Sequence, residues 1–124
     1  MPKKPNLEEL NPLLQHVAVE ILSLTLATVG KKKWKAAYLD ERSGEDESRI
    51  AKFRVELPNG NLMSGDITRE INKLVRTIWA MRPEQRPEKW YGMKLTLQPD
   101  GQCKTEFNYD PEYINDPTFF DFDE

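Results

Sequence analysis

Residues 90–110, WYGMKLTLQPDGQCKTEFNYD, decide the fold, because they hold two alternating segments joined by a turn signal. In Met93–Leu97 and again in Cys103–Tyr109, core-type residues alternate with polar ones, which is the period-2 pattern of strands with one buried face. The four residues between them, Gln98–Gly101, read Gln-Pro-Asp-Gly. Proline presets φ at the first central turn position, and glycine supplies the positive φ that closes the turn. The stretch therefore predicts a β-hairpin.

Aromatic residues stand at both ends of this hairpin, so we expect it to pack on the rest of the chain rather than to stand alone. A two-stranded hairpin is marginally stable in water and needs a further layer. The residues that define this structural motif are Trp90, Pro99, Asp100, Gly101, Phe107 and Tyr109.

An amphipathic helix is predicted near the N-terminus. Asn11 followed by Pro12 is typical of an N-cap and a first helical position, and Gly30 ends the pattern. An earlier start at Asn6, with Glu9 completing a capping box, is the alternative. It would place Pro12 inside the helix, where the missing backbone N–H of proline removes a hydrogen bond. The apolar stripe of this helix consists of Leu14, Val17, Ile21 and Leu24.

Two further strands are predicted between this helix and the next. The segments are Trp34–Leu39 and Ala51–Leu57, and Asp40–Ser48 between them is expected to be an acidic turn with Gly44 at its centre. Asn61–Met63 could form a short third strand.

A second helix is expected to begin at Asp66 as its N-cap and to end at Arg82-Pro83. Its apolar stripe consists of Ile67, Ile71, Leu74, Val75 and Ile78. The element order α-β-β-(β)-α-β-β predicts an α+β fold, with two helices packed on an antiparallel sheet of four to five strands.

Length and composition favour one globular domain. The chain has 124 residues, of which 31% are charged and 38% hydrophobic, which is typical of soluble proteins. Residues 17–29 form the most apolar run, but Glu20 interrupts it, so no membrane span is expected. The N-terminus is a poor secretion signal, and the single cysteine excludes an internal disulfide, so a reducing cytoplasm is expected.

Charge is distributed unevenly along the chain, whose formal net charge is −3. Residues 106–124 hold seven of the 21 acids and no lysine or arginine, which leaves 14 acids against all 18 bases in residues 1–105. We therefore divide the chain into an α+β domain, residues 1–110, and an acidic aromatic C-terminal extension, residues 111–124. Such an extension indicates an interaction surface. Its candidate partner-binding residues are Asp110, Glu112, Tyr113, Asp116, Phe119, Phe120, Asp121, Phe122 and Asp123.

Residues that could carry catalysis are few. His16 is the only histidine and is expected on the helix surface, and Cys103 is expected to be a small buried core residue. The carboxylate clusters fall in predicted loops, and no glycine-rich phosphate loop is present. No cofactor or metal is expected, and an enzyme is disfavoured. Lys31–Lys35 with Trp34 mixes bases with an aromatic ring, but the acidic extension argues against direct nucleic-acid binding.

The hairpin also resembles the YezG-like family of bacterial immunity proteins, or antitoxins, in which a similar motif lies near the C-terminus. The matching positions are Trp90, Leu95, Leu97, Asp100, Gly101, Lys104, Glu106, Phe107, Asn108, Tyr109 and Asp110. Two features depart from the family pattern: Cys103 replaces a commoner larger residue, and residues 111–124 extend past the usual end.

The resemblance implies an immunity protein that binds and neutralises a cognate toxin domain, frequently a nuclease, in the bacterial cytoplasm. The residues favour the same function independently, because aromatic anchors among acids suit the basic, concave active-site groove of a nuclease. An adaptor or chaperone for a secreted effector is the alternative. A small hydrolase that uses His16 or the acidic clusters is a third possibility. The sequence leaves the oligomeric state open.

Overall fold

The computed structural model describes residues 7–46, 48–84 and 88–115, and within them it has two helices and one antiparallel sheet of five strands. The predicted α+β class and element order are confirmed. The elements are α1 (Leu7–Val29), β1 (Ala36–Ser43), β2 (Arg49–Glu56), β3 (Leu62–Gly65), α2 (Arg69–Ala80), β4 (Gly92–Leu97), β5 (Cys103–Asn108) and a short 3₁₀ helix (Tyr113–Asn115).

The sheet has the strand order β3-β2-β1-β4-β5, so β1 is its central strand. Both helices cover one face, where the buried cluster includes Val17 and Ile21 of α1, Leu39 of β1 and Leu95 of β4. Neither α1 nor α2 lies over the other face, which displays the alternate residues of each strand. We call it the helix-free face.

The predicted hairpin is confirmed. The N–H of Gly101 donates to the carbonyl of Gln98 at 2.9 Å, and the N–H of Gln98 donates to the carbonyl of Gln102 at 2.8 Å. Gly101 has φ 92°, which a β-branched residue adopts only with strain. The rings of Trp90 and Phe107 lie 5.2 Å apart at their centroids, and this contact joins the hairpin to the core.

The predicted start of α1 was wrong, because the helix begins at Leu7 and contains Pro12. Pro12 is the sixth residue of α1, so its missing N–H removes only one intrahelical hydrogen bond close to the helix end. Leu10 lies one turn before Leu14 and is 4% exposed. Burying a leucine contributes about 1.5–3 kcal/mol, which offsets much of the ~3 kcal/mol cost of an interior proline.

α1 is also more apolar than the interruption at Glu20 led us to expect. The stretch Leu10–Val29 has mean hydropathy 1.4 and by length and composition alone could cross a membrane, although only 28% of it is buried in the fold. A core helix of a soluble protein passes the same test.

Two boundaries after α1 also differ from the prediction. β1 continues through Ser43, so Asp40–Ser43 is strand rather than acidic turn, and all four residues are buried. The strand persists because β2 and β4 satisfy its backbone on both sides. The N-cap of α2 is Thr68 rather than Asp66, because the Thr68 hydroxyl accepts the N–H of Ile71 at 3.1 Å.

Cys103 is exposed rather than buried, which corrects the predicted core position. It lies at the turn end of β5, which is an edge strand, and it pairs with Leu97 at the margin of the sheet. The alternation of residues 103–109 therefore predicted the strand correctly but did not predict the exposure of Cys103.

Candidate functional site

The chain leaves β5 through a series of tight turns that bring it back over the helix-free face. The N–H of Asp110 donates to Oδ1 of Asn108 at 2.8 Å, and the N–H of Glu112 donates to Oδ1 of Asp110 at 2.9 Å. The N–H of Tyr113 then donates to the carbonyl of Asp110 at 3.0 Å. These side chains act as turn formers. We call residues 109–115 the C-terminal arm.

Tyr113 anchors the C-terminal arm on the sheet. The guanidinium carbon of Arg42 lies 3.9 Å from the centroid of the Tyr113 ring, and Nη1 of Arg42 donates to the Tyr113 carbonyl at 3.1 Å. Arg42 is itself held by two hydrogen bonds to Asp40, of 3.2 and 3.1 Å. The ring also lies against Gly92, where any Cβ would collide with it. Tyr113, a candidate partner-binding residue, thus packs on its own domain.

An open cleft of about 700 Å³ forms where the arm meets the turn between β1 and β2. We call it the acidic cleft. Its carboxylates are Glu45 and Asp46 from the turn and Glu112 from the arm. Among the described residues that line it, none is basic. The remaining lining residues are Gly44, Ser48, Pro111, Ile114 and Asn115.

All three carboxylates are positioned by neighbours, and Oε2 of Glu112 accepts a hydrogen bond from Nδ2 of Asn115 at 2.5 Å. Asp46 accepts the Ser48 hydroxyl at 2.6 Å and the Ser48 N–H at 3.1 Å, and these hydrogen bonds lower its pKa. Oε2 of Glu45 accepts the hydroxyl of Tyr91 at 3.1 Å, and Tyr91 is only 1% exposed. The acidic cleft therefore presents negative charge from a partly preorganised surface.

The structure describes three of the predicted partner-binding residues, Asp110, Glu112 and Tyr113, and only Glu112 lines the acidic cleft. Glu45 and Asp46 belong to the predicted acidic turn, which the sequence indicated only as the alternative interface if the extension does not bind the partner. The acid-rich composition of Asp40–Ser48 is visible in the sequence, but the sequence does not indicate that this segment lies close to the arm. The other six candidates, Asp116, Phe119, Phe120, Asp121, Phe122 and Asp123, lie outside the described residues.

A second concavity, of about 300 Å³, lies further along the helix-free face, between Asp40 and Leu62, and its lining includes the carboxylates of Asp40 and Glu56. We call it the basic groove. Its cations are Lys52 and Arg54 of β2 and Lys94 of β4, and Lys52 and Lys94 both pair in register with Asp40. Burial, followed by the charges of Arg54 and Arg42, lowers the pKa of Lys52. Lys94 is distant from Lys52 and Arg54 in sequence, so only the strand register brings the three together.

Tyr38 forms part of the floor of the basic groove. Nζ of Lys94 lies 5.0 Å from the centroid of its ring. Its hydroxyl donates to Oε1 of Glu56 at 2.7 Å. Burial and this hydrogen bond raise the pKa of Tyr38 to about 12, so the hydroxyl remains protonated near neutral pH.

A buried ionic cluster lies between the sheet and the end of α2. Glu41 is 0% exposed, and Nε of Arg49 lies 3.2 Å from its Oε1, yet neither carboxylate oxygen accepts a well-aligned hydrogen bond from the described residues. Nη1 of Arg82 donates to the Trp90 carbonyl at 2.6 Å and to the Ser43 hydroxyl at 3.2 Å. Burial raises the pKa of Glu41 to about 7, although Arg49 and Arg82 oppose the shift.

Glu41 is the most perturbed carboxyl group described, and such groups are candidates for acid–base catalysis. It is sealed inside the fold, however, and lines neither the acidic cleft nor the basic groove. His16 lies on the surface of α1 as predicted, with Nε2 3.6 Å from Oε1 of Glu20. Within residues 7–46, 48–84 and 88–115, no group of three or more His, Cys, Asp or Glu side chains is placed to hold a metal ion.

Comparison of the chain with models of known protein families and with curated protein sequences found no match. The resemblance to YezG-like immunity proteins therefore rests on the hairpin motif and stays a prediction.

Proposed function

We propose that this protein is an immunity protein that binds a basic toxin domain, a nuclease, and blocks its active site or substrate groove. One observation carries the proposal. The turn between β1 and β2 and the C-terminal arm meet in a cleft whose three carboxylates, Glu45, Asp46 and Glu112, have no lining base among the described residues. The sequence resemblance of the hairpin points to the same class.

The physical basis is electrostatic complementarity. A nuclease groove is lined with cations that normally meet phosphates, and carboxylates at comparable spacing can take their place. Asp46 and Glu45 are each held by a hydrogen bond, so less side-chain freedom is lost when a partner binds. The acidic cleft would then contribute to association rate and orientation.

The sequence that follows the arm supplies a further element. Residues 116–124 contain Phe119, Phe120 and Phe122 among four acids, without a lysine or arginine. Aromatic side chains are enriched among the residues that dominate binding energy. We therefore assign the affinity of the complex to these rings and its steering to the acids.

The first test is co-purification with the product of the adjacent gene, followed by inhibition and association measurements on that partner. The triple variant Glu45→Gln, Asp46→Asn, Glu112→Gln should associate at least ~10-fold more slowly at low salt, and high salt should reduce the difference. An unchanged association rate and unchanged inhibition would contradict the assignment of the cleft.

The matched control changes net charge equally but elsewhere. Asp66, Glu70 and Glu106 are exposed acids outside the acidic cleft, and their amide triple variant should associate within about 3-fold of the wild type, because long-range charge effects are screened. Equal losses in both triple variants would show that only net charge matters.

The aromatic assignment has its own test. Replacement of Phe119, Phe120 and Phe122 by alanine should raise the dissociation rate by a factor corresponding to roughly 2 kcal/mol or more, with little change in association rate. A chain truncated after Asp110 that inhibits with unchanged rates would rule out the arm and the extension. The interface would then lie on the body of the domain.

Experiments on the partner can distinguish two other functions from inhibition. An adaptor or chaperone for a secreted effector would bind through the same cleft but leave the partner active once it is released at its destination. A hydrolase using His16 would show metal- or pH-dependent turnover that a folded His16→Ala variant loses. The immunity proposal expects that variant to inhibit as well as the wild type, because His16 lies on the helix side of the sheet, away from the cleft.

A further inference from the structure

The basic groove brings cations of β2 and β4 together across the central strand β1. Asp40 of β1 pairs in register with Lys52 on one side and with Lys94 on the other, and Tyr38 pairs with Arg54. Side chains of residues that pair in register point to the same face of a sheet. Arg54 is only 8% exposed, so the surrounding residues hold its guanidinium in place. The groove is therefore a concavity with cations on both sides.

The two carboxylates in the lining of the groove are engaged by cations that do not line it. Both oxygens of Asp40 accept hydrogen bonds from Arg42, at 3.2 and 3.1 Å. Oε1 of Glu56 accepts the hydroxyl of Tyr38 at 2.7 Å, and Oε2 of Glu56 lies 3.6 Å from Nζ of Lys35. Two acids are thus shared among five described bases, namely the three that line the groove, Arg42 and Lys35.

This excess of positive charge disfavours the charged forms of the bases. Burial lowers the pKa of Lys52, and the charges of Arg54 and Arg42 lower it further. The neighbouring edge strand adds no net charge, because the carboxylate of Glu106 lies 3.5 Å from Nζ of Lys104. An anion bound among the cations would relieve their repulsion, since a nearby opposite charge favours the charged form.

We propose that the basic groove binds the phosphate group of a small phosphomonoester through Lys52, Arg54 and Lys94. A guanidinium is a planar fork that can bind two phosphate oxygens at once, and an ammonium group acts as a point charge beside them. A phosphomonoester carries about −1.5 to −2 charges near neutral pH. It therefore offsets the excess of five bases over two acids better than a single carboxylate does.

Tyr38 positions one of the three ligands. Nζ of Lys94 lies 5.0 Å from the centroid of the Tyr38 ring, which is within the range of a cation–π interaction. The ring is in turn fixed by the hydrogen bond from its hydroxyl to Glu56. A lysine that is already held over the groove loses less conformational freedom when a phosphate binds.

The size and surroundings of the groove favour a small molecule over a nucleic-acid strand. Its volume of about 300 Å³ is at the lower end of the range for ligand pockets. Gly60 and Leu62 also line it, and Leu62 is 38% exposed, so the carbon framework of a ligand has an apolar contact there. A strand of phosphates that followed the sheet would reach the carboxylates of the acidic cleft and be repelled by them.

This site is independent of the proposed inhibitory function, because its test requires a phosphate compound and no toxin. A protein that inhibits a toxin but binds no phosphomonoester would overturn only the site. A protein that binds a phosphomonoester but inhibits no toxin would overturn only the inhibitory function.

Titration of the isotope-labelled full chain, followed by the chemical shifts of its backbone amides, tests the proposal. The probes are ribose 5-phosphate, inorganic phosphate and ribose. Ribose 5-phosphate should shift the amides of Lys52, Arg54 and Lys94 with a dissociation constant on the order of 1 mM, inorganic phosphate should bind there more weakly, and ribose should shift none of them. Unshifted groove amides at about 10 mM ribose 5-phosphate overturn the proposal, and equally tight binding of inorganic phosphate overturns the assignment to a phosphomonoester.

The double variant Lys52→Gln, Lys94→Gln should bind ribose 5-phosphate at least ~10-fold more weakly, because it loses two of the three charged ligands. The matched control is Lys31→Gln with Lys73→Gln, which removes the same charge at exposed positions outside the groove. The control should bind within about 2-fold of the wild type, since distant exposed charges are screened. Equal weakening in both double variants would show unspecific attraction and overturn the site.

Two further measurements test the chemistry of binding. Arg54→Lys keeps the charge but removes the planar fork, so binding should weaken ~3- to 10-fold; unchanged binding would overturn the assigned role of Arg54. If this buried substitution prevents folding, the lysine double variant still decides whether the site exists. A short single-stranded oligodeoxynucleotide without a terminal phosphate contains only phosphodiesters and should bind more weakly than ribose 5-phosphate. Tighter binding of the oligonucleotide to the same amides would overturn the proposal and assign the groove to nucleic acid.

Discussion

Replacement of Glu41 by glutamine should stabilise the protein at neutral pH but not at acidic pH. Glu41 is fully buried, and its pKa rises from 4.5 to about 7 because burial disfavours the carboxylate. Glutamine has nearly the same shape and cannot ionise. It therefore reproduces the protonated state of Glu41 at every pH, and the difference between the two proteins isolates the titration of this one group.

The magnitude follows from the shift. Each pKa unit corresponds to about 1.4 kcal/mol, so a shift from 4.5 to about 7 corresponds to about 3 kcal/mol. Below pH 4.5 both the folded and the unfolded chain hold the proton, and wild-type stability is undiminished by this group. Between pH 4.5 and 7 the unfolded chain releases the proton first, so wild-type stability falls, and above pH 7 the loss is complete.

Urea denaturation of both proteins from pH 4 to pH 8.5 measures this difference. The free energy of unfolding of the Glu41→Gln variant should exceed that of the wild type by about 3 kcal/mol above pH 7, and the difference should shrink towards pH 4.5. Glu106→Gln is the control, because Glu106 is exposed and paired only with exposed Lys104, so it should change stability by less than about 0.5 kcal/mol. A difference that is constant across the pH range would refute the reasoning and leave Glu41 an ordinary ion-paired carboxylate of Arg49.

Three further outcomes are expected. Gly101→Val should lower the free energy of unfolding by roughly 1–3 kcal/mol, because φ at this position is 92°; an unchanged urea midpoint would contradict the turn. Gly92→Ala should displace the Tyr113 ring without unfolding the domain, so nuclear Overhauser contacts between Tyr113 and the sheet should disappear, and their persistence would contradict the anchor. Lys52→Gln with Lys94→Gln should raise the association rate of a basic partner about 2- to 5-fold, and a slower association would place the partner on the basic groove.

The elements that sequence predicted correctly depend on local chemistry. Each correct prediction used a signal contained in a short stretch of sequence. These signals are the alternation in β2 and in the hairpin, the Pro-Asp-Gly turn and the apolar stripe of α2. The pairing of β1 with β2, of β2 with β3 and of β4 with β5 then follows from short antiparallel connections, whereas the pairing of β4 with β1 joins strands on either side of α2 and has no local signal. The missed N-cap at Thr68 is a small error, because Asp66 offered an equivalent local signal two residues earlier.

The errors arose where distant residues compensate a local cost. Asp40–Ser43 looked like a turn because charged residues are rarely buried. Each buried charge is met by a partner, with Arg42 beside Asp40 and Arg49 beside Glu41. Arg82, which also approaches Glu41, lies 41 residues along the chain. These partners cannot be predicted from residues 40–48 alone.

The candidate site was predicted only in part for the same reason. The acidic extension stood out by composition, and Glu112 does line the acidic cleft. The opposite wall comes from Glu45 and Asp46, which lie more than 60 residues earlier in the sequence. The two walls meet because Gly92 leaves space for the Tyr113 ring, and this close approach is invisible in the sequence.

The helix-free face has only acids in the described lining of one concavity, and three bases against the two acids Asp40 and Glu56 in the other. At one end of β1 the arm and the turn place Glu45, Asp46 and Glu112 together, whereas Lys52 and Lys94 lie together beside Asp40, further along the strand. A basic partner would be attracted to the acidic cleft and repelled from the basic groove, so the face resists binding in a reversed orientation. Repulsion of wrong orientations contributes specificity even where attraction adds little affinity. The position of the arm over Gly92 is therefore central to the proposed function, because it completes the acidic cleft and leaves the basic groove open.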